Sequence, residues 1–247
     1  TYGRSKAQAE RRVLALLPQA LIVRTCALFG PWDERNFVTR ALRALLDGQP
    51  VRAAEDVVVS PTYVPELVRR CLDLGARDAL AIRLKLTDED SIRTLTERVV
   101  DRFARVDVLV NNAGVISWKQ FLEQGLGELD AQIGVNLLGV MKLTWCLLPV
   151  VTDAVICIGS TATLHQSRTP PPYCASKWGL RGFVKALALE HPDKRVLSVH
   201  PTVTATRMND MQGMPPERVA EIVWRVAAGE IEVEPGGDVD LREHAED

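Results

Sequence analysis

The sequence predicts an α/β fold, a doubly wound parallel sheet gathered into one domain. Three observations carry this. Strand-like apolar runs alternate with helix-like amphipathic runs along the 247 residues, the pattern of βαβ units. A pentad of the form Y-x-x-S-K occurs twice, as Tyr2-Gly3-Arg4-Ser5-Lys6 and Tyr173-Cys174-Ala175-Ser176-Lys177. Each pentad opens a helix-like run that is followed by a proline, Pro18 or Pro192, and then by a strand-like run.

In chain order, residues 7–17 read as a helix and 21–28 as a strand ending at Gly30-Pro31. Apolar side chains at Phe37, Val38, Ala41, Leu42 and Leu45 form a helical stripe over 37–46, closed by Gly48 and Pro50. A short strand falls in 51–59, a helix in 65–74 ended by Gly75, and a strand in 79–86. Asp88 or Asp90 caps a helix running to about Phe103. Val106-Asp107-Val108-Leu109-Val110 is a buried strand leading into Asn111-Asn112-Ala113-Gly114. A long helix over 129–148, a strand over 154–158, a helix over 173–190, a strand over 196–200 and a helix over 217–228 complete the pattern. The acidic tail from Pro235 is expected to be disordered.

Composition narrows the partners. The formal net charge is −2 with acids and bases interspersed, which favours neither nucleic acid nor an anionic membrane. The stretch 143–158 is the least charged, but Pro149 and Asp153 break it and it is too short to span a bilayer. No signal peptide is read, so a cytoplasmic location is expected. Cys26, Cys71, Cys146, Cys157 and Cys174 are odd in number and form no C-x-x-C pair, as expected of small buried hydrophobes in a reducing compartment. The four histidines are scattered, and no metal site is expected. The chain opens at Thr1 rather than Met, one residue before the first pentad, as a truncated or spliced coding unit would.

A Tyr and a Lys four residues apart share one face of a helix. An ammonium there is expected to lower the phenol's pKa toward neutrality and make it a usable acid/base. Four features stand in order around the second pentad: Asn111-Asn112-Ala113-Gly114 after a strand, Asn136 in a long helix, Ser160 at a strand end, and Tyr173 with Lys177. Singly, each has a plainer reading, as a tight turn, a cap, a strand-end hydroxyl or a surface pair.

Together they resemble the classical short-chain dehydrogenase/reductase family, over about residues 79–233. The resemblance implies a Rossmann-like sheet, a bound NAD or NADP, and a small-molecule alcohol or carbonyl substrate. It implies that Tyr173 is the general acid/base, that Lys177 tunes it and holds the nicotinamide ribose, that Ser160 orients the carbonyl, and that Asn136 anchors a proton-relaying water. Asn111, Ala113, Gly114, Tyr173, Lys177, Pro201, Thr204 and Thr206 would contact the cofactor. A homodimer or homotetramer built on the two long helices is also implied, with Trp145 and Trp178 either in that contact or in the core.

The first segment is similar to something else. Tyr2 to Lys6 with Glu10, Val23-Arg24-Thr25, Phe29-Gly30, Asn36-Phe37-Val38 and Ser60-Pro61-Thr62-Tyr63-Val64 resemble dTDP-4-dehydrorhamnose reductase, an extended-type relative, over about residues 1–75. The chain thus divides at 1–78 and 79–247, packed as one domain.

Three departures bear on the cofactor. No G-x-x-x-G-x-G or G-x-x-G-x-x-G turn occurs, and Gly30-Pro31-Trp32-Asp33 is a poor stand-in. Lys85 and Thr202 replace the family's usual Asp and Gly. A protein that keeps the fold but binds dinucleotide weakly or not at all is the alternative. The missing first strands also leave the edge of 106–110 open, and strand 21–28 is expected to pair there in parallel.

Overall fold

The computed structural model describes residues 28–29, 62–63, 82–165, 168–205 and 212–244. The helices expected at 7–17, 37–46 and 65–74, the strand at 51–59, and residues 21–27 lie outside the described residues. Strands β1 (Leu28–Phe29) and β2 (Thr62–Tyr63) pair in parallel, Leu28 opposite Thr62. The described end of the 21–28 strand is therefore not beside 106–110 but in a separate two-stranded sheet. Strands close in sequence pair more readily than distant ones, because the loop to be closed is shorter.

Of the strand expected at 79–86, residues 79–81 lie outside the described residues, and 82–86 join no ladder, which corrects that part. Their backbone serves the next helix instead. The Lys85 amide donates to Ser91 Oγ at 2.9 Å, and the Asp88 amide returns to the Lys85 carbonyl at 3.0 Å. Helix α1 (Glu89–Phe103) starts there because Asp88 Oδ1 accepts from the amides of Asp90 and Ser91. It ends at Ala104, whose φ of 61° places it in the left-handed region. Ile92, Leu95 and Val99 form its buried stripe.

Four parallel strands follow: β3 (Val106–Asn111), β4 (Val151–Ile158), β5 (Arg195–His200) and β6 (Asp238–Asp240), hydrogen-bonded in that order. Between β3 and β4 run α2 (Leu126–Ile133), a π-helical stretch (Gly134–Gly139) and α3 (Val140–Leu147). The helix begins three residues earlier than expected, where Glu128 turns back to bond the Gly125 amide at 2.8 Å. With its last turn it spans Leu126–Val150, which by length and composition alone is enough to cross a membrane and exceeds the stretch weighed at 143–158. Its inner face is packed, with Val140, Leu143 and Leu147 buried in the core. Helix α4 (Pro171–Glu190) precedes β5, and α5 (Pro216–Ala227) precedes β6.

Side chains alternate along β4 to opposite faces of the sheet. Val155 and Cys157 pack with α1, α3 and α4, whereas Ala154 and Ile156 pack with Ile222 and Val226 of α5. Helices thus cover both faces, as a doubly wound sheet requires. Trp145 and Trp178 are 79% and 54% exposed, so neither is a core residue. Cys157 is buried as expected, while Cys146 and Cys174 are half-buried.

The tail is the largest correction. Residues 238–240 are a strand rather than disordered chain, with Val239 and Leu241 buried. Its acids are compensated: Asp238 pairs with Arg181 and Lys185, and Asp240 with Arg242. A neutralised acidic segment carrying two apolar anchors can pay for its ordering. Leu241→Ala should therefore lower unfolding free energy by about 2–5 kcal/mol, read from urea denaturation. A loss under about 0.5 kcal/mol would mean that the tail is not part of the core.

Candidate active site

Parallel pairing brings the carboxyl ends of β3, β4 and β5 side by side, with Asn111 opposite Cys157 and Ile158 opposite Val199. In open α/β sheets this is the edge where ligands bind. The turn Asn112-Ala113-Gly114, the Gly159-Ser160 step and the 201–204 segment leave from that edge.

Helix α4 delivers Tyr173 and Lys177 from successive turns. Lys177 is 3% exposed, and its Nζ donates to the Ile158 carbonyl at 2.7 Å. The same Nζ lies 5.8 Å from the centre of the Tyr173 ring. Tyr173 is half-buried and takes a hydrogen bond from the Ser160 side chain. Gly114 closes the cluster: a Cβ there would sit 3.6 Å from both Lys177 Nζ and Asn136 Oδ1.

Asn136 belongs to the π-helical stretch and is fully buried. Its Oδ1 accepts from the Val115 amide at 2.7 Å, and its Nδ2 donates to the Val115 carbonyl at 2.8 Å and to Ser176 Oγ at 3.0 Å. It clamps the chain just after the Asn-Ala-Gly turn to the helix that carries Tyr173. A π turn admits one extra residue, and such turns cluster at functional sites.

The remaining residues divide. Asn111 turns its side chain into the core, where Nδ2 donates to Thr144 Oγ1 at 3.0 Å and Cys157 Sγ at 3.6 Å, leaving Oδ1 buried without a partner. As a strand residue with its side chain on the core face, it cannot offer that amide to a cofactor. Ala113 is 7% exposed. Pro201 accepts from the Thr161 amide, and Thr204 Oγ1 donates to the Thr202 carbonyl at 3.1 Å. Thr206 lies outside the described residues.

Electrostatics correct one expectation. The phenol of Tyr173 is not drawn toward neutrality: burial pushes it up to about 12, against the hydrogen bond from Ser160. Lys177 is itself pushed down to about 8 by burial, with Cys157 acting in the opposite direction. Its ammonium gives one of its three donors to the Ile158 carbonyl. Sequence reasoning also missed His200, Thr163, Ser176 and Asp238, which support these groups. The written signals were Ser176 as the serine of the repeated pentad and His200 standing directly before Pro201 at a strand end.

The short chain dehydrogenase family matches over residues 54–215, so the chain belongs to that family. An uncharacterized NAD-dependent oxidoreductase of Mycobacterium tuberculosis is 30% identical over 203 residues, covering 72% of this chain and 74% of that protein. Dehydrogenase/reductase SDR family member 7 of Mus musculus is 34% identical over 143 residues, covering 54% of this chain and 42% of that protein. The chain thus spans less than half the length of the mammalian relatives it matches. Among solved structures, a short chain dehydrogenase from Mycobacterium smegmatis superposes with a TM-score of 0.65 at 23% identity, over 92% of this chain and 93% of that one. A 3-oxoacyl-[acyl-carrier protein] reductase from Brucella melitensis in complex with NAD gives 0.64 at 22% identity, over 88% and 96%. Those structures agree with the parallel, helix-covered sheet.

Lys177 makes a pH-dependent prediction. Its folded pKa is lowered from 10.5 to about 8, so in that window the unfolded chain holds a proton that the folded chain has released. Stability therefore rises with pH between about 8 and 10, by up to about 1.4 kcal/mol per unit, and is lost as pH falls through about 8. In denaturation series across this range, Lys177→Met should remove that slope. A slope unchanged in the variant would show that Lys177 does not titrate there.

Proposed function

We propose that this protein is an NAD- or NADP-dependent oxidoreductase that interconverts a secondary alcohol and a carbonyl. The observation that carries the reading is the convergence of Ser160, Tyr173 and Lys177 beside Gly114 at the carboxyl edge of a parallel sheet. Oxidoreductases among the relatives support it, including the NAD-dependent protein of Mycobacterium tuberculosis.

The nicotinamide end of a dinucleotide fits the residues present. A buried ammonium, the space left by the absent Cβ of Gly114 and the polar 201–204 segment could hold a ribose and a carboxamide. Bound there, the cofactor supplies or accepts the hydride at the substrate carbon. The protein handles the proton. Tyr173, a phenol kept protonated by burial, gives its proton to the carbonyl oxygen during reduction and takes one back during oxidation. Ser160 donates a second hydrogen bond to that oxygen and keeps it in line with the phenol. Lys177, close to neutrality, passes protons along the buried edge and holds the ribose. Asn136 keeps the 114–115 turn and α4 at fixed separation.

A second reading is a relic that keeps the fold but holds dinucleotide poorly. What favours it is the sequence itself, which has no glycine-rich phosphate turn. We read residues 1–78 as a segment of an extended-type reductase joined to 79–247, and this join accounts for the missing turn. Small-molecule partners and a homo-oligomer resting on the exposed Trp145 and Trp178 belong to the same proposal.

Titration with NADH and NADPH separates the two readings. A hundredfold excess over Kd should stabilise the protein by about 2.7 kcal/mol. No change in melting temperature with either at millimolar concentration would defeat the enzyme reading. With binding established, Tyr173→Phe should abolish turnover and leave cofactor affinity within about twofold, since the lost group acts on the transition state. Retained turnover would remove Tyr173 as the acid/base.

A further inference from the structure

His200, the last residue of β5, is fully buried and has no part in the chemistry above. Its Nε2 lies 2.9 Å from Asp238 Oδ1 and 3.0 Å from Ser198 Oγ. Its Nδ1 receives the Ser160 amide at 3.2 Å, and lies 3.0 Å from the Ser160 carbonyl and 3.1 Å from Thr163 Oγ1. The approach is close enough to require a glycine next door: a Cβ on Gly159 would fall 2.6 Å from ring atoms of His200.

Donor and acceptor accounting decides where the ring proton sits. Asp238 is an acceptor only. Burial pushes its carboxyl up, but hydrogen bonds from Arg181, Lys185, Ser198 and His200 together outweigh this and hold it well below the usual carboxylate range. Ser198 gives its hydroxyl proton to Asp238 Oδ1 at 2.9 Å, so its oxygen faces His200 as an acceptor. Both neighbours of Nε2 therefore need a proton from it. A second ring proton would add a third cation to Arg181 and Lys185 around one carboxylate, on a ring that is itself fully buried. At Nδ1 the Ser160 carbonyl, 3.0 Å away, already accepts from the Thr163 amide and hydroxyl and needs no ring proton, so Nδ1 keeps a lone pair for the Ser160 N–H.

We propose that His200 is a positioning residue: Asp238 fixes it as the Nε2–H tautomer, and its Nδ1 then holds the Ser160 amide so that the Ser160 hydroxyl faces Tyr173. The proposal rests on the oxidoreductase reading of the same site. A carboxylate that sets a histidine tautomer to orient a hydroxyl-bearing residue is sound chemistry on unrelated folds. Here the histidine takes no proton from the serine hydroxyl. It acts on the serine backbone and leaves the hydroxyl proton to Tyr173 and the substrate.

The test has a spectroscopic arm and a kinetic arm, both on the full chain. Imidazole 15N NMR near neutral pH should show His200 protonated at Nε2 only, with the Ser160 amide coupled across its hydrogen bond to Nδ1. A ring protonated at Nδ1, or no such coupling, overturns the proposal whether or not the protein turns over any substrate. In kinetics, His200→Ala should lower kcat by about ten- to a hundredfold. In a Ser160→Ala background the same substitution should cost less than about twofold, because the two residues act as one unit. Equal losses in both backgrounds overturn it, since a merely structural histidine would weaken both alike. Absence of turnover in the unsubstituted protein would instead defeat the oxidoreductase reading, and the NMR result would still decide the tautomer and its bond to Ser160.

Discussion

Strand β4 must be covered on both faces, and most of the structure follows from meeting that demand. Val155, Ile156 and Cys157 have no exposed surface, and parallel neighbours on either side complete their hydrogen bonding. A parallel sheet cannot be closed by hairpins, so each return crosses over as a helix. Those helices land on alternate faces, three on one and α5 on the other. The same crossovers force every strand to point one way, which collects the ends of β3, β4 and β5 along one edge. The candidate site is the polar remainder of that edge.

What fills the edge is buried polarity with little slack. Lys177, Asn136, Ser176 and His200 are all almost inaccessible, and each has named partners. In a low-dielectric interior a satisfied network of this kind is rigid, and an incomplete one is costly. This explains why Tyr173 remains protonated and Lys177 sits near neutrality. Both shifts come mainly from exclusion of water, not from attraction between the two side chains.

Much of this was legible in the sequence, and the failures have physical causes. The alternation of strands and helices from Glu89 onward could be read from periodicity, as could the cap at Asp88. Tyr173, Lys177, Ser160 and Asn136 could be read from their order, and the fold brings them together. The strand at 238–240 could not be read, because a short acidic run looks solvated until the distant Arg181 and Lys185 are known to face it. The π turn left no periodic mark of its own. The core-facing side chain of Asn111 could not be foreseen either, since its neighbours Thr144 and Cys157 lie 33 and 46 residues away. Pairwise chemistry across long separations is what a single sequence conceals best.

The placement of Asp238 has a consequence for the order in which the protein comes into being. Arg181, Lys185 and His200 all precede it in the chain, and its bonds to Arg181 and His200 span 57 and 38 residues. During synthesis the first three strands of the main sheet emerge before it, and a domain folds as a unit. Until β6 arrives, Arg181, Lys185 and the His200 imidazole lack the carboxylate they share. The serine loop thus depends on an acid from the last strand, so its geometry is complete only when the whole domain is.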